Sequence, residues 1–339
     1  MLVAQHRRNG GPVKAIRIRE PGGPEVLELV DVETPSPRAG EVRIRVVAAA
    51  VNRADLLQRL GAYPAPKDAP QDIPGLEVAG VVDALGEGVS SPAVGTRVYA
   101  IVGGGGYAEY VTVHARALAP IPEGLGDVEA AAVPEAFVTA YDAMVLQGGL
   151  EAGEDVLIHA VGSGVGTAAT QIAVAIGARP IGTARTADKL ERAKELGLAH
   201  GIHVQNAQFA DAVRAATGGQ GAAVIVDLVG GSYGPENLRA AAHCGRIVVV
   251  GLVAGRSMEL DLGLLLQKRL LLKGTVLRAR PLEERIAAHQ VLARNLGPLF
   301  TANKLRPVVD RVLPLAEAAE AHRAMAESES FGKLVLTTG

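Results

Sequence analysis

The chain has 339 residues, 48% of them hydrophobic, which is enough for two domains with sizeable cores. Charged residues make up 21% and the formal net charge is −2, so nothing points to nucleic acid or an anionic membrane surface as partner. A single cysteine, Cys244, excludes an internal disulfide framework and a cysteine-based zinc cluster and suits a reducing compartment; no apolar run reaches the length of a membrane span.

Residues 1–12, MLVAQHRRNGGP, lack the apolar core and cleavage site of a signal peptide. They read as a disordered extension, and a cytoplasmic location is the default expectation. From 13 to about 134 the pattern is short strands and turns. Strands are predicted at 13–19, 25–32, 41–51, 78–85, 97–102 and 107–113, with turn clusters PGGP at 21–24 and PSPRAGE at 35–41. A short helix is predicted over 53–59. Strands so evenly punctuated suggest a compact, partly open β-barrel.

At 129 the texture changes to a helical stretch interrupted by Pro134. The segment 155–189, DVLIHAVGSGVGTAATQIAVAIGARPIGTARTADK, then organises the rest. Val156-Leu157-Ile158 is an apolar strand, Gly162-Ser163-Gly164-Val165-Gly166 a glycine-rich turn, and 167–176 an Ala-rich helix stopped by Gly177. A second strand follows at 180–183. This is the unit that binds a dinucleotide: glycines admit the pyrophosphate to the backbone, and the helix N-terminus offers free N–H groups. The spacing is not a strict G-x-G-x-x-G, because Val161 stands where the first glycine would fall.

Strand and helix continue to alternate. Helices are predicted at 189–196, 209–216 and 238–243, and strands at 223–228, 246–251 and 270–277. This alternation argues for an α/β fold with a doubly wound parallel sheet. Two helical stretches, 281–301 and 315–326, precede a last strand at 333–337, which is expected to return to the β domain because a late strand needs sheet partners.

The tip of the second strand of the nucleotide unit carries no acid of the kind that holds the ribose of NAD. Thr183, Arg185, Thr186 and, one turn on, Lys189 gather there instead. Arg offers a planar fork suited to phosphate, so a 2′-phosphorylated coenzyme, NADPH, is expected. The alternative is that Arg185 and Lys189 are solvated side chains at a helix start.

Several stretches together resemble the medium-chain dehydrogenase/reductase superfamily and, within it, the zinc-free, zeta-crystallin-like quinone oxidoreductases. They are AAAVNRADLLQRLGAYPAP (48–66), IPGLEVAGVVDALGEGV (73–89), GGGGYAEYVTV (103–113), PEAFVTAYDAM (134–144), VLIHAVGSGVGTAATQIA (156–173) and FGKLVL (331–336). LLQRLGAY, PEAF, SGVGTAA and GGSYGPEN resemble the tumour-suppressor-induced quinone oxidoreductase subgroup in particular. The resemblance implies a Rossmann NADPH-binding domain over 135–277 and a GroES-like catalytic domain over 13–134 and 278–339. It further implies a homodimer or homotetramer joined through the nucleotide-domain sheets; the apolar stretch 248–274 suits that, though core burial explains it equally well.

Zinc-using relatives carry a Cys in the segment matching Val51-Asn52-Arg53 and a His in the segment matching Gly75-Leu76-Glu77. Here Asn52 and Leu76 stand in those places, the four-cysteine lobe is missing, and Glu77 and Glu135 alone cannot complete a zinc site, so no metal is expected. Without a Lewis acid the chemistry left is hydride donation to an activated acceptor, a quinone or an enone.

The resemblance places Tyr63 at the cleft as donor to the developing oxygen, although a loop tyrosine with a wet hydroxyl is an equally good reading. It puts Asn52 near the nicotinamide ribose. It implies coenzyme contacts from Thr139, from Ser163, Gly164, Val165 and Gly166, from Gly251-Leu252 and Leu277-Arg278, and from Lys333. The family's tyrosine after the third nucleotide-domain strand is replaced here by Val204, with His203 as a neighbouring donor. The eight histidines show no ligand spacing. Two other readings stand beside quinone reduction: a 2-alkenal or enoyl-thioester reductase, and a non-catalytic NADPH-binding protein of the zeta-crystallin type.

Overall fold

The structure is a computed structural model that describes residues 11–339. The extension expected at 1–12 therefore lies, but for Gly11 and Pro12, outside the described residues. The chain divides into two compact units. One comprises residues 11–135 together with Pro281–Arg294 and Val309–Gly339; the other comprises Ala136–Arg280 and Asn295–Val308.

The second unit is built on six parallel strands. In spatial order they are His200–His203, Arg179–Ala184, Asp155–Ile158, Ala222–Asp227, Ala241–Val249 and Leu271–Gly274. Numbered along the chain within this unit, that order is 3-2-1-4-5-6, the doubly wound arrangement, with its direction reversing between the first and fourth strands. Val156, Leu157 and Ile158 are fully buried because helices cover both faces of a parallel sheet, which is why this strand reads as an unbroken apolar run.

The helix after the first strand, Gly164–Ala175, begins three residues before the expected start at 167. Ser163 caps it and its hydroxyl accepts from the Gly166 amide, so the glycines belong to the first turn. Gly177, at φ +83°, ends the helix as expected. The helix expected at 238–243 instead spans Gly234–Ala240, because Pro235 starts it early; the next strand then begins at Ala241. A helix at Leu262–Lys268, capped by Asp261, was not anticipated, and it shortens the strand expected at 270–277 to Leu271–Gly274.

The first unit is a mixed sheet around Glu41–Ala50. One side of that strand pairs with Glu77–Leu85. Its other side pairs with Tyr110–His114 over its first half and with Lys333–Thr337 over its second. Register shifts at Arg43/Ile44 and Val46/Ala48 let one strand serve two neighbours on the same edge by bending it. The final strand thus does return to this sheet. A parallel partner, Val309–Pro314, had not been read as a strand.

The expected division kept all of 278–339 with the β unit, whereas residues 295–308 belong to the nucleotide-type unit. The expected helix 281–301 is broken: Leu282–Val291 gives way to a widened turn, Leu292–Leu296, and restarts at Gly297-Pro298. The restarted helix carries Phe300, whose ring meets Phe137 edge-on at 4.9 Å. The Arg306 amide donates to the Gln171 side chain at 2.9 Å. Phe300 is only 2% exposed, so Phe300→Ala is expected to lower unfolding free energy by about 3–5 kcal/mol in urea titration. A loss below 1 kcal/mol would show that the segment is not anchored through this ring.

Candidate active site

In the nucleotide-type unit, the C-terminal ends of the parallel strands carry the candidate residues. After Ile158 the chain passes through Ala160, at φ +48°, into the glycine turn. Val161 is buried and its amide donates to the Thr183 carbonyl. A Cβ on Gly182 would lie 2.8 Å from the Val161 side chain, so glycine there makes room for valine in the turn. A Cβ on Gly166 would meet the Ala160 carbonyl oxygen at 2.5 Å, which fixes how closely helix and strand pack. Ser163 satisfies Gly166. The amides of Gly164 and Val165 have no acceptor among the described residues, and this half-exposed helix start fits an anionic pyrophosphate.

Arg185 and Thr186 are exposed just beyond the second strand, and Lys189 is half-buried on the helix Ala187–Lys194. Arg185 makes no ion pair among the described residues. Thr183, expected with them, is turned inward: it is buried and its hydroxyl lies 2.8 Å from His159 Nδ1. Gly251 and Leu252 lie past the fifth strand, where a Cβ on Gly251 would collide with the Leu228 carbonyl at 2.4 Å. Thr139 sits on the Pro134–Tyr141 helix. Leu277 and Arg278 follow the short last strand and are both buried.

Sequence reading passed over a buried polar chain under this edge. His159 Nε2 lies 2.7 Å from Asn237 Oδ1, and Asn237 Nδ2 donates to Asp227 Oδ2 at 2.9 Å. Asp227 Oδ1 accepts from the amides of Val229 and Gly230. Asn237 must donate to Asp227, so its carbonyl faces His159. The imidazole is then protonated on Nε2 and accepts the Thr183 hydroxyl at Nδ1. Burial lowers its pKa, which keeps it neutral.

In the other unit, Asn52 stands at the N-cap of the Arg53–Arg59 helix, and its backbone amide donates to Asp55 Oδ2 at 2.8 Å. Lys333 arrives on the last strand with its ammonium 4% exposed, and Glu77 opens the strand Glu77–Leu85 with none of its surface exposed. Lys333 Nζ donates to Glu77 Oε1 at 2.6 Å, to Asn52 Oδ1 at 2.6 Å and to the Val51 carbonyl at 3.0 Å. Glu77 Oε1 also accepts from Asn52 Nδ2 at 2.9 Å, and Oε2 from the Glu135 amide at 2.8 Å. Asn52 Nδ2 spends its other proton on the Ala50 carbonyl.

Two consequences follow from counting donors. All three Lys333 protons are used internally, so Lys333 cannot donate to a coenzyme as expected. Asn52 retains only a carbonyl lone pair, so it can accept from a ribose hydroxyl but cannot donate to a developing oxyanion.

Behind this cluster runs a second chain that sequence reading missed. Asp55 accepts from the amides of Asn52 and Gly75 and from the Tyr107 hydroxyl at 3.2 Å. Tyr107 meets His322 Nε2 at 3.3 Å, and His322 Nδ1 lies 3.2 Å from Arg59. Arg59 can only donate, so His322 carries its proton on Nε2. Burial, with the Arg59 charge adding to it, pushes the His322 pKa down to about 3. Burial and then Asp55 hold the Tyr107 phenol well above its usual range. Tyr63 lies half-buried on the loop after the helix, its amide bonded to the Leu57 carbonyl.

The positions of the zinc ligands in metal-using relatives hold an amide, Asn52, and a hydrocarbon, Leu76. Among the described residues no group of three or more His, Cys, Asp or Glu side chains could hold a metal. A divalent cation beside Glu77 would also meet the Lys333 ammonium. The donor set does not fit zinc.

Lys333→Met leaves the Glu77 carboxylate buried without its counter-charge and is expected to destabilise by about 3–5 kcal/mol. Adding Glu77→Gln should recover most of the loss; equal instability of single and double variants in chemical denaturation would contradict the pairing. His322 is neutral when folded and charges in the unfolded chain below about pH 6.5. The unfolded state binds the extra proton, so stability falls as pH drops from about 6.5 toward 3. His322→Gln is expected to flatten that fall by up to about 1.4 kcal/mol per pH unit; parallel curves would show that His322 does not contribute.

Two family descriptions match the chain: "Alcohol dehydrogenase GroES-like domain" over residues 38–123 and "Zinc-binding dehydrogenase" over 164–293. The quinone oxidoreductase of Sus scrofa is 35% identical over 331 residues, covering 96% of this chain and 97% of the porcine protein. The phthioceranic/hydroxyphthioceranic acid synthase of Mycobacterium tuberculosis is 35% identical over 341 residues, a match covering 99% of this chain but 16% of the synthase. Among solved structures, an NAD-dependent alcohol dehydrogenase shares 37% identity with a TM-score of 0.86, over 96% of this chain and all of that one. A mycobacterial protein complexed with NADPH shares 31% identity, also at a TM-score of 0.86, over 96% of this chain and 99% of that one. With likeness of this extent, and with a doubly wound sheet beside a GroES-like unit, the chain belongs to the medium-chain dehydrogenase/reductase superfamily, among its quinone oxidoreductase-like oxidoreductases.

Proposed function

We propose that this protein is an NADPH:quinone oxidoreductase that works without zinc. The observation that carries the reading is the Lys333–Asn52–Glu77 cluster. At the place where zinc-using relatives bind their ion, this chain buries its own cation and fully hydrogen-bonds it. Alkoxide formation from an ordinary alcohol then lacks its Lewis acid, whereas an electrophilic quinone needs mainly to be held and protonated.

Bound NADPH supplies a hydride, and the quinone takes up that hydride and a proton to become the hydroquinone. The open amides of Gly164 and Val165 would cradle the pyrophosphate, with Ser163 and Gly166 shaping the turn. Arg185, with Thr186 and Lys189 nearby, would take the 2′-phosphate. Thr139, Gly251, Leu252 and Arg278 are further proposed contacts on the same unit. Asn52 Oδ1 would accept a hydrogen bond from a ribose hydroxyl. Tyr63 is the proposed donor to the oxygen on which charge develops.

Two copies would join through the edge strand Leu271–Gly274, whose residues are all exposed. Leu262 and Leu266 beside it are 60% and 75% exposed, an apolar edge of the kind that self-association covers. No helix among the described residues is long and apolar enough to cross a membrane; a cytoplasmic location is part of the proposal.

A second acceptor is favoured by the match to a segment of an acid synthase: the double bond of a 2-alkenal or enoyl thioester. The same hydride serves both. Oxidation of NADPH and NADH is to be followed with 1,2-naphthoquinone, 1,4-benzoquinone, a 2-alkenal and crotonyl thioester, with and without a chelator. Turnover of quinones with NADPH, unaffected by chelation, is expected. Activity lost to the chelator and restored by zinc would refute the metal-free reading, and thioester as the best acceptor would select the second one.

A further inference from the structure

The loop that carries Tyr63 is anchored at both ends. At its start the amides of Ala62 and Tyr63 donate to the Leu57 carbonyl, and Gly61, at φ +72°, turns the chain off the Arg53–Arg59 helix. At its end Gln58 Nε2 donates to the Gln71 carbonyl at 2.9 Å, and the Ile18 amide donates to the Asp72 carbonyl at 2.7 Å. Between them lies Pro64-Ala65-Pro66-Lys67-Asp68-Ala69-Pro70. Its three prolines have no amide to donate, so side chains and packing must hold the middle. The Gln71 side chain folds back onto the Pro66 and Ala69 carbonyls, which keeps the segment together as one body.

Packing comes from the glycine run after the strand Arg97–Ile101. A Cβ on Gly103 would lie 2.9 Å from the Ala69 side chain. One on Gly105, at φ +84°, would lie 3.2 Å from the Pro70 ring. The loop therefore rests directly on glycine backbone. Asp68 adds a charged tie: its Oδ2 accepts from Arg285 Nη2 at 2.5 Å, across 217 residues of chain. The Arg285 side chain is largely buried and Asp68 is half-exposed. Arg285 Nε is buried with no hydrogen-bond partner among the described residues. A guanidinium already short of one acceptor loses more when its carboxylate leaves.

Arg285 is itself held in place. It stands one helical turn before His289 on Leu282–Val291, and that imidazole is buried. A carbonyl can only accept, so His289 Nδ1 carries the proton and donates to the Arg285 carbonyl at 2.6 Å. Nε2 then accepts from the Ile101 amide at 2.9 Å. Burial lowers the pKa of this imidazole, which keeps it neutral. Strand end, helix and loop are thereby joined in one series: Ile101, His289, Arg285, Asp68.

We propose that Asp68 and Arg285 determine acceptor specificity: their ion pair fixes the Tyr63 loop and so limits how large an acceptor reaches the Tyr63 hydroxyl. The proposal rests on the reading of Tyr63 as donor to the acceptor oxygen. An acceptor that takes a hydrogen bond from Tyr63 lies against this loop. With the pair made, the loop is a fixed wall that suits a single quinone ring. With the pair broken, the wall yields to a larger ring system and fits a small one less well. Neither side chain meets the reacting atoms; both are positioning residues.

The test uses Arg285→Gln, Asp68→Asn and Arg285→Lys in the full chain. Steady-state kinetics are measured with NADPH and quinones of one, two and three rings: 1,4-benzoquinone, 1,2-naphthoquinone and 9,10-phenanthrenequinone. In Arg285→Gln and Asp68→Asn, kcat/KM for the three-ring quinone relative to the one-ring quinone is expected to rise about fivefold, the ceiling for a partly exposed ion pair. The change should lie in the acceptor KM and leave the KM for NADPH as it was. Arg285→Lys keeps the charge and should keep the ratio. Loop position is read separately, by trypsin cleavage after Lys67. Cleavage is expected to quicken about fivefold in Arg285→Gln, which leaves the cleaved sequence untouched. Unchanged cleavage overturns the proposal, because the pair then does not hold the loop. Faster cleavage with an unchanged ratio also overturns it, because the pair then holds the loop without governing the acceptor. If Tyr63→Phe leaves quinone turnover intact, or no quinone is reduced at all, the proposed function fails at that point and this inference fails with it.

Discussion

An ammonium and a carboxylate removed from water must find every hydrogen bond they need, or the fold that buries them is lost. Lys333 and Glu77 meet that constraint through residues far apart in the chain. The lysine comes from the last strand, the glutamate from the edge of the Gly75-Leu76-Glu77 turn, the amide of Asn52 from a helix cap, and the Glu135 amide from the start of another helix. Each is placed by the others. The first unit's long strand bends to accept Lys333–Thr337 as a neighbour, and this is what brings the ammonium to Asn52. The same requirement explains why Asp55, Tyr107, His322 and Arg59 line up behind it, each donor facing an acceptor.

The nucleotide-type unit solves the same problem for a buried carboxylate, Asp227, with neutral donors in place of a buried cation. Three central strands end side by side, and each brings a polar side chain or carbonyl to a place that water cannot reach. His159, Asn237 and Asp227 satisfy one another in a fixed direction. Among the described residues the amides of Gly164 and Val165 find no acceptor and the Arg185 guanidinium makes no ion pair; all three lie at the rim. In the proposed function an anionic, flat ligand binds at the places where interior satisfaction stops.

In the proposed function each of the two units has its own part in hydride transfer. One offers an open anion-binding edge. The other carries a closed, self-neutralised cluster of Lys333, Glu77 and Asn52. In the proposed function the substrate is already electrophilic, and a single donor to its oxygen completes the reaction.

Much of this was legible in residues alone. The apolar run Val156-Leu157-Ile158, the glycine turn and the Ala-rich helix declare themselves because a strand buried on both faces and a helix start each impose a local composition. The absence of zinc ligands at Asn52 and Leu76 is a matter of residue type. The Arg53–Arg59 and Lys333–Thr337 elements were expected at their observed bounds, since capping and alternation are local signals.

What local pattern could not decide is which polar groups meet. Thr183 read as a ligand contact and faces His159; Lys333 read as a coenzyme contact and is consumed by Glu77, 256 residues away. His159 and Asn237 are 78 residues apart, and His322 and Arg59 are 263 apart. Residues 295–308 left the β unit because Phe300 found Phe137 across the nucleotide-type core. Periodicity and residue type report the free energy of a segment in its own neighbourhood. Pairing of buried donors with acceptors is settled only when distant strands close, because until then water satisfies each of them equally well.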